Sequence, residues 1–440
     1  MSKKINVAYA TAVSLGAIIG SGIFVLSGTV ISLAGILSLV AFAFVGFVSL
    51  ILAFELGELT SLFPELKGSS YSFAYEAFGS HIGFVTGILL YFSYASSISA
   101  IALGFGAYLS SILGLGNPIV FAILLILVLT VLNLMGVEKA AEADFYLVLL
   151  KVAILIIFSA FAILTIGRTN LPSHFTVPPN ASYGFFESMQ GIIFAYSGFQ
   201  SVSTIASDVE GGGKGAAKAI VYSVVISLVL YVLVDVSLMI LAPVTAYKIS
   251  ADPLSFALSY AKAPSSLFLV VGVGALIATT SATLAMILTS SRMLYQIGAD
   301  GLLPKFVTKY DKSRDVAVNG VLISSLIGVA TLFAGNVYVI AAISNFGLLF
   351  SYLVTSLAVM HFRRKNANPQ FKTPGYPYLP AFSVIAIVLF FIGMPQEALL
   401  IGAVTTIVLL IAYSVIREGM RESPEKVRIF EYFRTRDRKS

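Results

Sequence analysis

The sequence predicts an all-α integral membrane protein of twelve transmembrane helices: two inverted sets of five, then two more. Three observations carry this. Of 440 residues, 58% are hydrophobic and only 11% charged, a balance that soluble globular domains do not show. Apolar runs of about 20 residues, each able to cross a hydrocarbon core of about 30 Å, recur from Ala8 to Ile416. Two of these runs, at matching places, are interrupted at mid-span by glycine and serine.

The spans begin near residues 8, 38, 82, 118, 145, 185, 217, 265, 318, 338, 381 and 397. Runs of this length exclude a barrel of transmembrane strands. "MSKKINVAYA" leads directly into a full-length span without the small-residue cleavage pattern of a signal peptide, so the first helix is expected to stay. With the N-terminus in the cytoplasm, inner segments carry 23 of the 27 basic residues. The outer loops hold only Arg168, Lys248 and Lys262. This asymmetry fits the positive-inside rule with both termini cytoplasmic, so the net charge of +6 reflects topology and calls for no nucleic acid. Cysteine is absent, which excludes disulfides and thiolate chemistry. His81, His174 and His361 are too scattered for a metal cluster, so neither metal nor cofactor is expected.

Composition breaks at "GRTNLPSHFTVPPNASYG" (167–184), "EGGGKGAAK" (210–218) and "HFRRKNANPQFKTPGYPYLP" (361–380) divide the chain. The expected units are a five-helix repeat over 1–170, a second over 171–362, spans 11 and 12 over 363–416, and a tail over 417–440. Span 1 contains "GAIIGSGIF" (16–24) and span 6 "FAYSGFQ" (194–200), so that Ser21-Gly22 answers to Ser197-Gly198. Five spans is an odd number, and the two sets therefore run in opposite senses through the bilayer. Glycine-interrupted spans at matching positions of two inverted halves point to a transporter's binding site. Gly16 and Gly20 admit a second reading, a small-residue face for close helix packing with no unwinding.

Unwound backbone within a membrane exposes N–H and C=O groups that lipid cannot satisfy. At such a break one half-helix ends in carbonyls that attract a cation, and the other begins with amides that attract an anion. Both signs side by side suit the ammonium and carboxylate of an amino acid. The carboxylate is expected on the amides of Ser21, Gly22 and Ile23, and the ammonium on carbonyls around Ile18, Phe194, Ala195 and Ser197. Lys151, in "DFYLVLLKVAILIIF" of span 5, is an intramembrane ion and so a functional candidate. Its competing role is to snorkel toward Asp144 and the interface.

The stretches "GAIIGSGIF", "AFELGELTSLFPELKGSSYSFAYEAFG" (53–79), "FAYSGFQSVSTIASDVE" (194–210), "GADGLLP" (298–304) and "FRRKNANPQFKTPGYPYLP" (362–380), in this order, resemble the amino acid-polyamine-organocation transporter superfamily, in particular its proton-coupled, broad-specificity amino acid transporters. The resemblance runs to about Pro380. It implies the leucine-transporter-like five-plus-five inverted repeat, with helices 1 and 6 broken at the substrate site. The chain departs from its relatives after span 6, where "GGGKGAAKAI" replaces their usual Asn-Pro and Pro-Arg pairs. By resemblance, Lys151 takes the place of a coupling sodium ion, touching the helix 1 break near Gly20 and the span 8 hydroxyls Thr280 and Ser281. Phe194 matches the family's aromatic gate. Tyr94 of span 3 is expected to face the site, and Ser97 either to join it or to cap backbone.

Glu55, in the family's "ELG" element, is expected to pair structurally near the cytoplasmic gate. Asp235 in span 7 has no counterpart. No candidate side-chain position on spans 3, 6 or 8 brings a carboxylate, so a dibasic substrate would bury an uncompensated charge, and neutral amino acids are favoured. The tail mixes eight basic and five acidic residues with aromatics, as a headgroup-bound amphipathic helix or a solvated segment would. The expected function is import of neutral amino acids across the cell membrane by proton symport and alternating access, as a monomer or weak homo-oligomer. The runner-up is a proton-independent exchanger, and behind it a receptor on the same scaffold. An enzyme is not expected, because no acid, base or metal residues converge at one depth.

Overall fold

The computed structural model describes residues 4–20, 22–66, 68–136, 140–168 and 171–419. Span 1 is α1 (Val7–Ile18), a break, and α2 (Gly22–Val25) running through Leu26 into α3 (Ser27–Ala34). Then follow α4 (Leu37–Leu62), the short α5 (Ser70–Phe78), α6 (Ser80–Leu113), α7 (Pro118–Met135) and α8 (Ala140–Thr165). Beyond a short α9 (Leu171–His174), span 6 is α10 (Ala181–Tyr196) and, after its own break, a 3-10 helix over Phe199–Asp208. Spans 7 to 12 are α11 (Gly212–Leu241), with a loop helix α12 (Pro253–Tyr260) after it, α13 (Ser265–Ala299), α14 (Val318–Thr331), α15 (Val337–Arg364), α16 (Tyr378–Ile392) and α17 (Gln396–Gly419). A two-residue antiparallel ladder, β1 (Tyr310–Asp311) with β2 (Val316–Ala317), lies before α14. Among the described residues nine stretches are long and apolar enough to cross a membrane, and α14 and α16 are shorter apolar helices.

Local chemistry starts several helices where the apolar runs begin. Asn6 accepts from the Tyr9 amide at 2.7 Å, Asn117 accepts from Ile119 ahead of Pro118, and Asn336 accepts from Tyr338 and Val339, each a side chain taking an orphan N–H of the first turn. The stretch 210–218, read as a linker, is instead mostly the opening of α11. Its small residues allow that helix to lie against α4, with Gly213 on the Ser61 backbone and Ala217 facing Gly57.

Helix α6, 34 residues or about 51 Å long at 1.5 Å per residue, forms the centre of the bundle with α15, packing on α13, α7 and α5. The outer faces of α7 and α17 expose Val120, Leu124, Leu127, Val404 and Ile407, as surfaces meeting acyl chains should. α11 is the chief neighbour of α4 and also touches α1 and α8. It thus links the first helix pair of the first repeat to the second repeat.

At one end of α4 two carboxylates are buried one turn apart. Glu55 accepts from the hydroxyls of Ser356 in α15 (2.5 Å) and Ser383 in α16 (2.6 Å). Structural pairing was expected of Glu55, and its partners are hydroxyls; the ion pair belongs to Glu58. Arg363 forms a two-pronged bond to Glu58 through Nε (2.5 Å) and Nη2 (2.9 Å), and the Thr373 amide donates to the same carboxylate at 2.7 Å. Removing one member of a buried pair strands the other. Glu58→Ala is therefore expected to destabilise the fold by about 3 kcal/mol, seen as a lower midpoint of thermal unfolding in detergent.

Candidate substrate site

The last four carbonyls of α1 have no partners within the helix, and each meets a different neighbour. Leu15 O accepts from the Ile19 amide at 2.7 Å. Gly16 O accepts from Lys151 Nζ at 3.2 Å. Ala17 O lies against Gly198, where an added Cβ would come within 2.7 Å of it. Ile18 O accepts from the Gly20 amide at 2.9 Å and from the Tyr231 hydroxyl at 2.9 Å. Two separate helices, α8 and α11, thus donate to one broken end, and the span 6 break packs against it.

The second break faces the first. α10 ends at Tyr196, Ser197 is extended, and Gly198 takes φ +110°, a conformation open to glycine without strain. Gly22 abuts Ala195 so closely that a Cβ there would fall 2.0 Å from the Ala195 Cα. Tyr231 of α11 bridges the two, donating to Ile18 O and to Ala195 O at 3.1 Å. It is fully buried, as are Ile18, Ile23, Phe194 and Ala195.

The carbonyls expected to hold an ammonium are thus already engaged. Phe194 O accepts from both the amide and the hydroxyl of Ser197, and Ile18 and Ala195 serve Tyr231. Gly22 and Ile23 begin the second half of span 1, where the carboxylate was expected; Ser21 lies outside the described residues. Lys151 is 2% exposed, so its ammonium is turned into the protein. Its described partner is Gly16 O and not Gly20. Gly20 instead packs on Ala282 of α13, where an added Cβ would meet the Ala282 Cβ at 2.6 Å. Thr280 and Ser281 flank that contact half-buried, and the Ser281 hydroxyl donates to Ala278 O in its own helix.

Tyr94 does reach the break. Its hydroxyl accepts from Gln200 Nε2 at 3.0 Å, while Gln200 Oε1 accepts from the Tyr352 hydroxyl at 3.2 Å and the Gly198 amide at 3.1 Å. Gln200 thereby joins α6, the 3-10 segment and α15. Ser97 caps the Tyr94 carbonyl at 2.7 Å. Tyr231, Gln200 and Tyr352 were not singled out from the sequence. The one available signal was that Gln200 is a polar residue two places after the Ser197-Gly198 break. Among the described residues no group of three or more His, Cys, Asp or Glu could hold a metal.

The profile of amino acid permeases matches residues 10–417. The chain belongs to the amino acid permease family. It is 30% identical over 426 residues to a branched-chain amino acid permease of Lactococcus lactis, covering 89% of this chain and 90% of that one. A methylthioribose transporter of Bacillus subtilis is 28% identical over 406 residues, covering 88% and 87%. A mutant manganese transporter of Eremococcus coleocola superposes with a TM-score of 0.56 at 14% identity, covering 92% and 93%; this likeness concerns the fold, the leucine-transporter-like twelve-helix arrangement. The permease is thus a multi-pass membrane transporter and not an enzyme.

Two substitutions test the geometry of this site. Gly22→Ala is expected to force the two breaks apart and abolish substrate uptake while the protein still inserts, measured as radiolabelled uptake normalised to protein in the membrane. Tyr231→Phe takes the described donor from the buried Ala195 carbonyl, worth about 1–3 kcal/mol, leaves Ile18 O with the Gly20 amide alone, and should lower thermal stability in detergent.

Proposed function

We propose that this permease imports neutral amino acids across the cell membrane by proton symport, alternating between outward-open and inward-open arrangements, with both termini in the cytoplasm. The observation that carries the reading is the ammonium of Lys151, buried on the Gly16 carbonyl at the end of α1. A helix C-terminus is the negative end of the dipole and favours a cation. Loss of the Lys151 proton removes the charge from this contact, so proton release biases how tightly α8 holds the broken helix. A sodium ion is not required, because a cation already occupies this place.

Substrate polarity follows from the same backbone. The amides that open the second half of span 1 suit a carboxylate, and the carbonyls beside them suit an ammonium. A substrate ammonium competes there with the Tyr231 hydroxyl, which uses the carbonyls of Ile18 and Ala195. The side chains around the breaks, Phe194, Phe199, Tyr94, Gln200 and Tyr352, are uncharged. A substrate with a cationic side chain would find no counter-charge among them. The branched-chain specificity named for two relatives agrees with an apolar substrate. Phe194 serves as the cover of the site, and Thr280 and Ser281 lie beside the contact that a proton-dependent movement of α1 must break.

The test is uptake of radiolabelled alanine, serine, valine, leucine, phenylalanine and arginine into proteoliposomes, with and without an inward proton gradient. Accumulation of a neutral amino acid only with the gradient, and its loss in Lys151→Ala, is the expected result. Uptake that ignores the gradient but needs amino acid trapped inside would establish an exchanger instead.

A further inference from the structure

Asp235 plays no part in the mechanism above, yet it lies completely buried in α11. Its Oδ2 accepts from the Ser38 hydroxyl of α4 at 2.9 Å, and its Oδ1 has no partner among the described residues. Nor is it paired with a cation. An ionised carboxylate in such surroundings bears a large desolvation cost, which it sheds by taking up a proton.

The groups within electrostatic reach are Tyr196 of α10 and Tyr247 of the loop before α12. Other ionisable groups on neighbouring elements are engaged elsewhere. Lys151 of α8 sits on Gly16 O, Glu55 and Glu58 lie toward the far end of α4, and Asp252 before α12 bonds Ser111. Tyr9 of α1 stacks on Phe145, Asp208 ends the 3-10 segment, and Tyr260 of α12 is exposed. His174 of α9 bonds the Met239 carbonyl at 3.0 Å, one helical turn beyond Asp235. The α3 helix brings no ionisable side chain.

What Asp235 can act on is also visible. Four residues earlier on the same helix, Tyr231 holds the Ile18 and Ala195 carbonyls of the two breaks, and Tyr196 packs on it with ring centroids 5.0 Å apart. Charge appearing at Asp235 is therefore felt by Tyr196, the ring packed against the tyrosine that fastens both breaks.

We propose that Asp235 is a second proton-binding site of the transport cycle. It rests on the proton-coupled reading above and adds to it a site separate from Lys151. A proton arriving there neutralises the carboxylate and relaxes its hold on the Ser38 hydroxyl. Its release restores the charge beside Tyr196.

The experiment uses the full chain in proteoliposomes, with the neutral amino acid of the panel that is taken up fastest. Exchange against the same trapped amino acid is followed from acid to alkaline pH, and protons carried per substrate are counted with an internal pH dye. In Asp235→Asn, exchange is expected to persist with a flattened pH profile and a lower proton count. In Ser38→Ala the charged carboxylate loses its donor, and the alkaline limb should move up by about one pH unit, the tenfold change that one charged hydrogen bond is worth. A merely structural Asp235 would move neither. The proposal is overturned by a Ser38→Ala profile superimposable on wild type, or by an Asp235→Asn protein that keeps the wild-type proton count. A wild-type protein that carries no protons would instead defeat the coupled reading itself, and shows this before any variant is made.

Discussion

Backbone groups exposed inside a membrane have only the protein to turn to, and the end of α1 shows how that demand organises the rest of the bundle. The α1 helix stops at Ile18, leaving four carbonyls, and their partners come from an immediate neighbour in sequence, from α8, from the span 6 break and from α11. None of these contacts can change alone. Moving Lys151 off Gly16 O leaves a buried acceptor and a buried ammonium at once, each more costly than the bond itself. A bundle held in this way responds to a change at one break as a unit, which is what a two-state transporter needs.

Buried ionisable groups fall into two kinds in this chain. Glu58 is saturated by Arg363 and the Thr373 amide, and Glu55 by two hydroxyls, so these carboxylates fasten α4 to α15 and α16. Asp235 accepts from one hydroxyl, and Lys151 donates to a backbone carbonyl of α1. Full pairing costs little to keep and much to break. A group held by a neutral partner is easier to discharge, because the partner is left with no buried countercharge. The fastened carboxylates lie away from the breaks, whereas Lys151 and Asp235 lie on α8 and α11, which both touch α1.

Much of this was legible in the sequence because membrane helices leave a long, simple signal. The twelve spans follow from apolar length, and both breaks follow from Ser-Gly pairs at matching places. The two readings of "GAIIGSGIF" prove compatible: the chain does leave the helix after Ile18, and Gly16 and Gly20 still serve as close-packing positions, against Val148 and Ala282. Less legible were the partners of the break. Tyr231 is one of 21 tyrosines, and nothing local marks its hydroxyl as the donor to two carbonyls distant in sequence. Gln200 and Tyr352 share that difficulty. The 3-10 geometry after Gly198 and the helical start at Gly212 depend on close approach to α1 and α4, which periodicity does not encode.

Lys151 and Asp235 stand in different relations to the same helix, and this gives the pair its use. Lys151 acts directly on a carbonyl of α1, adding positive charge at the negative end of a dipole. Asp235 lies within electrostatic reach of Tyr196, whose ring packs tilted against Tyr231, so a negative charge there reaches the break through Tyr196. A charged Lys151 strengthens the hold of α8 on α1. A charged Asp235 holds the Ser38 hydroxyl of α4 and sets a negative charge beside Tyr196, whose ring packs on Tyr231. The lysine and the aspartate thus change charge at two different places on the same broken helices, one on the backbone of α1 and the other behind the tyrosine that spans both breaks.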